Sequence, residues 1–208
     1  MTNSPETVIS TIFDASVLEQ QLQQEDALLR GHFRLSSGLH SATYVQCARY
    51  LRRPELAAAA TAALAAQIQA AGLRPDIVVG PAMGGVVIGY ELARQLGVPG
   101  IFTERDADGQ MTLRRGFTIE PGEKVIIAED VVTTGKSTLE VAKVLRSMGA
   151  EVLAVASLID RTGGNGGLDF PHFALLPVVA ATFAPESCPL CAAGVPVVKP
   201  GSRPEKAF

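Results

Sequence analysis

The chain has 208 residues, 47% of them hydrophobic and 19% charged, with a formal net charge of −3. That mix supplies apolar side chain for a sizeable buried core and excludes a disordered or fibrous protein. The slight negative charge excludes the broad basic face of a nucleic-acid binder, so any anionic ligand must be held by local groups.

Residues 15–30 carry Val17, Leu18, Leu22, Leu28 and Leu29 at helical spacing, and Gly31 breaks the pattern. Residues 34–51 read as a turn followed by a strand. Pro54 and Glu55 suit the first turn of an Ala-rich helix that Gly72 ends. This longest apolar stretch, interrupted by Gln67 and Gln69, is too short for a membrane span. From there the chain alternates. Strands are expected at 76–80, 98–102, 124–129 and 152–159, with helices at 85–96 and 137–148 closed by Gly97 and Gly149. Residues 103–122 form a polar excursion containing Gly and Arg. The alternation implies an α/β fold with a central parallel sheet and helices on both faces. Beyond Asp160, the run RTGGNGG and six prolines across residues 171–200 read as an extended, irregular cap. The N-terminal MTNSPETVIS lacks a signal-peptide layout and the three cysteines form no disulfide framework, so a cytoplasmic protein is expected.

The most informative strand-to-helix junction is VIIAEDVVTTGKST, residues 125–138. A buried strand delivers Glu129 and Asp130. Thr133, Thr134, Gly135, Lys136 and Ser137 then form a turn that can aim backbone N–H groups, hydroxyls and a helix dipole at one phosphate. Adjacent carboxylates would repel a bare anion, but they accept hydrogen bonds from sugar hydroxyls strongly. A ribose 5-phosphate satisfies both halves. A Walker A loop is excluded because Asp130 stands where its first glycine belongs, and the spacing in GPAMGG, residues 80–85, is wrong for a dinucleotide fingerprint.

The segment AEDVVTTGKST resembles the phosphoribosyl-pyrophosphate signature of type I phosphoribosyltransferases. The segment GHFRLSSGLHSATYVQ, residues 31–46, and LIDR, residues 158–161, resemble the hood and the orotate-contacting strand end of the orotate phosphoribosyltransferases. The likeness is closest to a compact branch with LRRGF and CPLC segments. It implies a single phosphoribosyltransferase domain over residues 1–208, with a core at about 55–160 and a hood from about 15–54 and 161–208. It implies transfer of ribose 5-phosphate from phosphoribosyl pyrophosphate (PRPP) to orotate, with Mg²⁺ carried mainly by PRPP and no metal held by side chains alone. It also implies a cytoplasmic homodimer with shared active sites, using neither nucleic acid nor membrane. Glu129 and Asp130 would bind the ribose hydroxyls, and Val131, Val132, Thr133, Thr134, Gly135, Lys136 and Ser137 the 5′-phosphate. Met83 and Gly84 would approach the pyrophosphate, where small residues let backbone come close. Arg161, with Thr133 and Tyr44, would bind orotate, because a guanidinium fork fits its carboxylate.

The chain departs from the family at three places. Ser36 and Gly84 stand where lysines are usual, and the excursion holds Arg105, Arg114 and Arg115 in place of lysines and a histidine. Arg105 and Arg115 are therefore the candidate catalytic cations beside Asp130. His32, His40 and His172 read as structural or surface groups, and Cys188 and Cys191 as reduced structural thiols, a metal between subunits being the less favoured reading. Transfer to a purine or uracil, or a regulator that senses PRPP, are the competing functions.

Overall fold

The computed structural model describes residues 13–164 and 166–200. Helix α1 (Ala15–Gln24) is capped by Asp14, whose carboxylate accepts from the N–H groups of Ser16 and Val17 at 2.9 and 3.0 Å. It buries Leu18 and Leu22. The helix stops short of residue 30 because Asp26 takes a left-handed backbone, φ 51°. Leu28 and Leu29 thereby enter strand β1 (Leu28–Arg34), which pairs antiparallel with β2 (His40–Val45). The strand expected to continue from β2 gives way to a short helix α2 (Cys47–Leu51), where Cys47, Tyr50 and Leu51 repeat at helical spacing and are buried.

Helix α3 (Pro54–Ala70) follows with proline in its first turn, burying Ala57, Ala60, Leu64 and Ile68 on one stripe. The expected alternation then unfolds as β3 (Ile77–Pro81), α4 (Gly84–Leu96), β4 (Gly100–Arg105), β5 (Met111–Leu113), β6 (Lys124–Val132), α5 (Lys136–Ser147) and β7 (Glu151–Asp160). Two expectations need correction. The excursion at 103–122 is partly strand, since β4 runs on to Arg105 and β5 returns antiparallel beside it. Asp106 Oδ1 holds the turn between them through the N–H groups of Asp108 and Gln110. The tail is also less irregular than its prolines suggest. Strand β8 (His172–Pro177) joins β7 in parallel, so the main sheet continues past residue 160 and includes part of the segment assigned to the hood. Strand β9 (Thr182–Phe183) and the short helix α6 (Pro189–Ala192) complete the described chain.

Among the described residues the main sheet has the order β5-β4-β3-β6-β7-β8, parallel except for β5. Ile126, Ala128, Ala154, Ala156 and Leu158 pack on one side with α3 and α4, while Val125, Ile127 and Val155 pack on the other with Val141 and Leu145 of α5. Alternation along β6 and β7 thus fills two cores, which is why these strands read as continuous apolar runs. A second, three-stranded sheet in the order β1-β2-β9 stands apart from it.

Candidate active site

Strand β6 lies between β3 and β7, so its C-terminal end opens at the middle of the sheet, where parallel α/β folds hold ligands. It delivers Glu129 and Asp130 there. Glu129 is 7% exposed, and its carboxyl is pushed up to about 8 by burial and then by the Asp130 charge. Burial also raises Asp130, opposed by the Val131 N–H, which donates to its Oδ1 at 2.8 Å. The Cys47 thiol of α2 lies 3.8 Å from the Asp130 carbonyl, joining the hood side of the molecule to this strand end. Burial first, then the Asp130 charge, keeps that thiol protonated.

Past Val132 the chain turns into α5 through Thr133, Thr134 and Gly135. Gly135 has φ 74° and supplies no side-chain cap, the Lys136 N–H reaches the Thr134 hydroxyl at 3.4 Å, and a small recess lined by Glu129 and residues 131–138 lies at the helix start. Thr133 and Thr134 are exposed along it. A Cβ on Gly135 would stand 2.5 Å from the Gly166 carbonyl oxygen, so both backbone angle and space require glycine. Lys136 is exposed and weakly paired with Glu140 at 3.9 Å. The arrangement can hold a phosphate on backbone N–H groups with hydroxyl acceptors immediately beside it.

The glycines at 80–85 have a further purpose that the spacing did not reveal. A Cβ on Gly80 would collide with the Gly85 carbonyl, and one on Gly85 would lie 2.6 Å from the Ala128 carbonyl oxygen. These two glycines let α4 start directly on β3 and β6. Gly84 faces Asp130, and a Cβ there would meet Oδ1 at 2.5 Å. The absence of a side chain at Gly84 therefore leaves room for the carboxylate. Met83, beside it, is 83% exposed.

Arg161 follows β7 immediately, and its backbone N–H donates to the Val132 carbonyl at 2.8 Å, which fixes it next to the Thr133 turn. Its Nε is buried without a hydrogen-bond partner, and burial lowers the guanidinium from its ordinary value. A buried unpaired donor is costly, and an anionic ligand would satisfy it. Thr103 Oγ1, inside β4, is the other such atom among the described residues. Sequence reasoning missed it inside the excursion. His172 is not a surface group either. Its Nε2 lies 2.8 Å from Ser157 Oγ, and its Nδ1 3.9 Å from Asp160, whose other oxygen takes the Thr162 N–H. Burial lowers the histidine, and the nearby Asp160 charge opposes this. Tyr44 lies on the hood sheet, where Gln46 donates to its hydroxyl at 3.4 Å.

The excursion's arginines are folded back within this chain. Arg105 reaches Glu140 of α5 and the Gly109 carbonyl, both at 2.6 Å. Arg115 pairs with Glu104 at 3.0 Å and lies over Phe102, and Arg114 is 3.5 Å from Glu104. The fold thus gathers Glu129, Asp130, the Thr133–Ser137 turn, Gly84 and Arg161 along one sheet edge, while Arg115 stays on its own hairpin.

Comparison with known proteins gives the family. The phosphoribosyl transferase domain profile matches residues 47–179. An orotate phosphoribosyltransferase of Carboxydothermus hydrogenoformans is 54% identical over 180 residues, covering 86% of this chain and 94% of that one. One from Caldicellulosiruptor saccharolyticus is 50% identical, covering 90% and 96%. The crystal structure of orotate phosphoribosyltransferase from Aeropyrum pernix superposes with a TM-score of 0.64 at 28% identity, over 77% of this chain and 93% of that one. The matched profile, and identity of this extent along nearly the whole of such relatives, lead to one assignment: the chain belongs to the phosphoribosyl transferase domain family, with the type I fold, and within it to the orotate phosphoribosyltransferases.

Proposed function

We propose that the whole chain works as one phosphoribosyltransferase domain, transferring the ribose 5-phosphate of PRPP to orotate and releasing pyrophosphate. The single observation that carries this reading is the buried, unpartnered Nε of Arg161, one strand from the paired acids and the phosphate turn. A base with its own carboxylate fits that donor, whereas purines and uracil lack one.

In this reading residues 133–137 fix the 5′-phosphate and Glu129 and Asp130 the ribose hydroxyls. Gly84 leaves the pyrophosphate side open. No protein nucleophile is needed, because the transferred ribosyl passes through a cation-like state that positioning and nearby carboxylates stabilise. The hard-oxygen donors Glu129 and Asp130 beside a diphosphate suit Mg²⁺, which would neutralise the leaving group when bound. Asp130 would keep the ribose oriented while the bond to pyrophosphate breaks.

A homodimer with shared sites fits the apolar groove lined by Val87, Tyr90, Phe102 and Phe117, near which Met83 and Tyr90 are strongly exposed. In this reading Arg115, which sits over Phe102 at this face, would serve a second copy by leaving Glu104, and Arg105 would act by leaving Glu140. No helix among the described residues is long and apolar enough to cross a membrane, and work in the cytoplasm accompanies this biosynthetic reading.

The test is turnover of orotate, uracil, hypoxanthine and adenine in parallel with PRPP and Mg²⁺. Nucleotide formation with orotate alone, lost in Asp130→Asn, supports the proposal. Turnover with another base moves the specificity, and tight PRPP binding without turnover of any base would make the chain a sensor.

A further inference from the structure

The CPLC segment is not an isolated pair of thiols. His32, His40, Cys188 and Cys191 bring one nitrogen or sulfur each into a cluster spanning no more than 4.8 Å, distinct from the strand-end site. The spacing in the chain hides it, since 156 residues separate His32 from Cys188. Two features of the fold assemble it. Arg34 pairs with His40 across the β1–β2 hairpin, and a register irregularity between Arg30 and Phe33 accompanies the inward turn of His32, whose Nε2 lies 2.8 Å from His40 Nδ1. The tail then returns to the same strand. Val198 exchanges backbone hydrogen bonds with His32 and Arg34 at 2.8 and 2.9 Å, which brings α6 and its cysteines against the hairpin.

We propose that these four residues bind a structural Zn²⁺ ion. Three of the four sulfur-to-nitrogen separations are 3.5 Å for Cys188 to His32, 3.7 Å for Cys191 to His32 and 3.3 Å for Cys191 to His40. A tetrahedron with Zn–S of about 2.3 Å and Zn–N of about 2.0–2.1 Å has sulfur-to-nitrogen edges of about 3.5 Å. The nitrogens themselves are 2.8 Å apart, so binding would spread His32 and His40 by about half an ångström.

The tautomer of His32 leaves a ligand atom free for a cation. The Nδ1 of His32 lies 2.7 Å from the Val195 carbonyl, which can only accept. That bond takes the ring's one proton in its neutral form and leaves Nε2 as a bare lone pair facing His40 and both sulfurs. An imidazole held this way by a carbonyl is the usual form of a zinc-ligating histidine. Three of the four residues are at least 94% buried: His32 is 3% exposed, His40 6% and Cys188 2%. Two thiolates would balance the ion's charge, and their protons would go to solvent on binding. Closed four-coordination by protein atoms makes the site structural, not catalytic. Its effect would be to clip the tail to the hood hairpin.

The full chain, reduced and freed of metal with chelator, is titrated with Zn²⁺ and separately with Co²⁺. Uptake of one Zn²⁺ per chain, and a Co²⁺ complex with thiolate charge-transfer and tetrahedral ligand-field bands, is the expected result. Cys191→Ser, an exposed position, keeps the secondary structure, reduces zinc uptake to a small fraction and weakens the charge-transfer band. His32→Gln reduces uptake equally. Absence of metal uptake by the reduced folded chain would overturn the proposal. So would uptake unchanged in Cys191→Ser.

Discussion

When ribose hydroxyls reach Glu129, the side chain is expected to lose a proton. Its carboxyl is raised to about 8 from an ordinary 4.5, so in the free chain roughly nine-tenths of it is protonated at pH 7. A ligand that selects the ionised form as hydrogen-bond acceptor therefore releases about 0.9 proton per site at pH 7 and about 0.1 at pH 9. The Glu129 contribution to PRPP affinity correspondingly strengthens about tenfold between pH 7 and pH 9. Stability of the free chain moves the other way. The unfolded state loses this proton first, so stability declines as pH rises from about 4.5 to about 8, by about 1.4 kcal/mol per unit and at most about 5 kcal/mol. Above that window the group has no further effect. Titration calorimetry with Mg²⁺ and PRPP in two buffers of different ionisation heat measures proton release directly. Repeating it with Glu129→Gln removes the ligand's own titration, common to both chains. Equal proton release by the two chains at pH 7 would refute the assignment.

Arg161→Ala should lower kcat/KM for orotate by about thirtyfold or more, the scale for truncating one partner of a buried charged contact, with PRPP affinity nearly unchanged. Loss of PRPP binding of the same size would place the arginine elsewhere in the mechanism. Gly84→Ala forces a methyl group against Asp130 Oδ1 and should weaken PRPP binding about tenfold, read by calorimetry, given overpacking costs of about 1–3 kcal/mol. Mixing Arg105→Ala chains with Asp130→Asn chains should restore about a quarter of wild-type activity if an arginine of one subunit serves the other's site, because half of randomly formed dimers then carry one intact site. No recovery would confine Arg105 to its own chain. Tyr50→Phe removes the hydroxyl bridging Gln21 and the Leu56 carbonyl at 2.9 and 3.1 Å and should cost about 1–2 kcal/mol in chemical denaturation.

Local signals carried the parallel core well. Strand runs such as KVIIAE and helix stops at Gly97 and Gly149 are short-range, and each acts through its own backbone. The strand-to-helix turn at residues 133–137 was legible for the same reason, since Glu129 through Ser137 is one contiguous segment. What escaped depends on partners distant in sequence. Leu28 and Leu29 continue a helical pattern, but Asp26 breaks the helix and the hairpin claims them as strand. The segment HFALLP reads as Pro-bounded coil until β7 offers it a free edge. His32 and His40 had no visible purpose because their neighbours, Cys188 and Cys191, come from the far end of the chain. Gly84 looked like a missing lysine, and only its contact with Asp130 reveals what occupies that space.

The pairing of β2 with β9 joins residues 40 and 41 to residues 182 and 183. During synthesis, the hairpin of β1 and β2 emerges early but lacks its third strand until some 140 further residues have left the ribosome. The alternating core can condense on the way, since its strands follow one another closely. The hood is therefore the last piece to be completed, and a nascent chain passes through a stage with a finished phosphate turn and an unfinished cover. Chains halted before residue 182 should expose the edge of β2 to other unpaired strands, which makes premature termination a route to aggregation and not merely to lost activity.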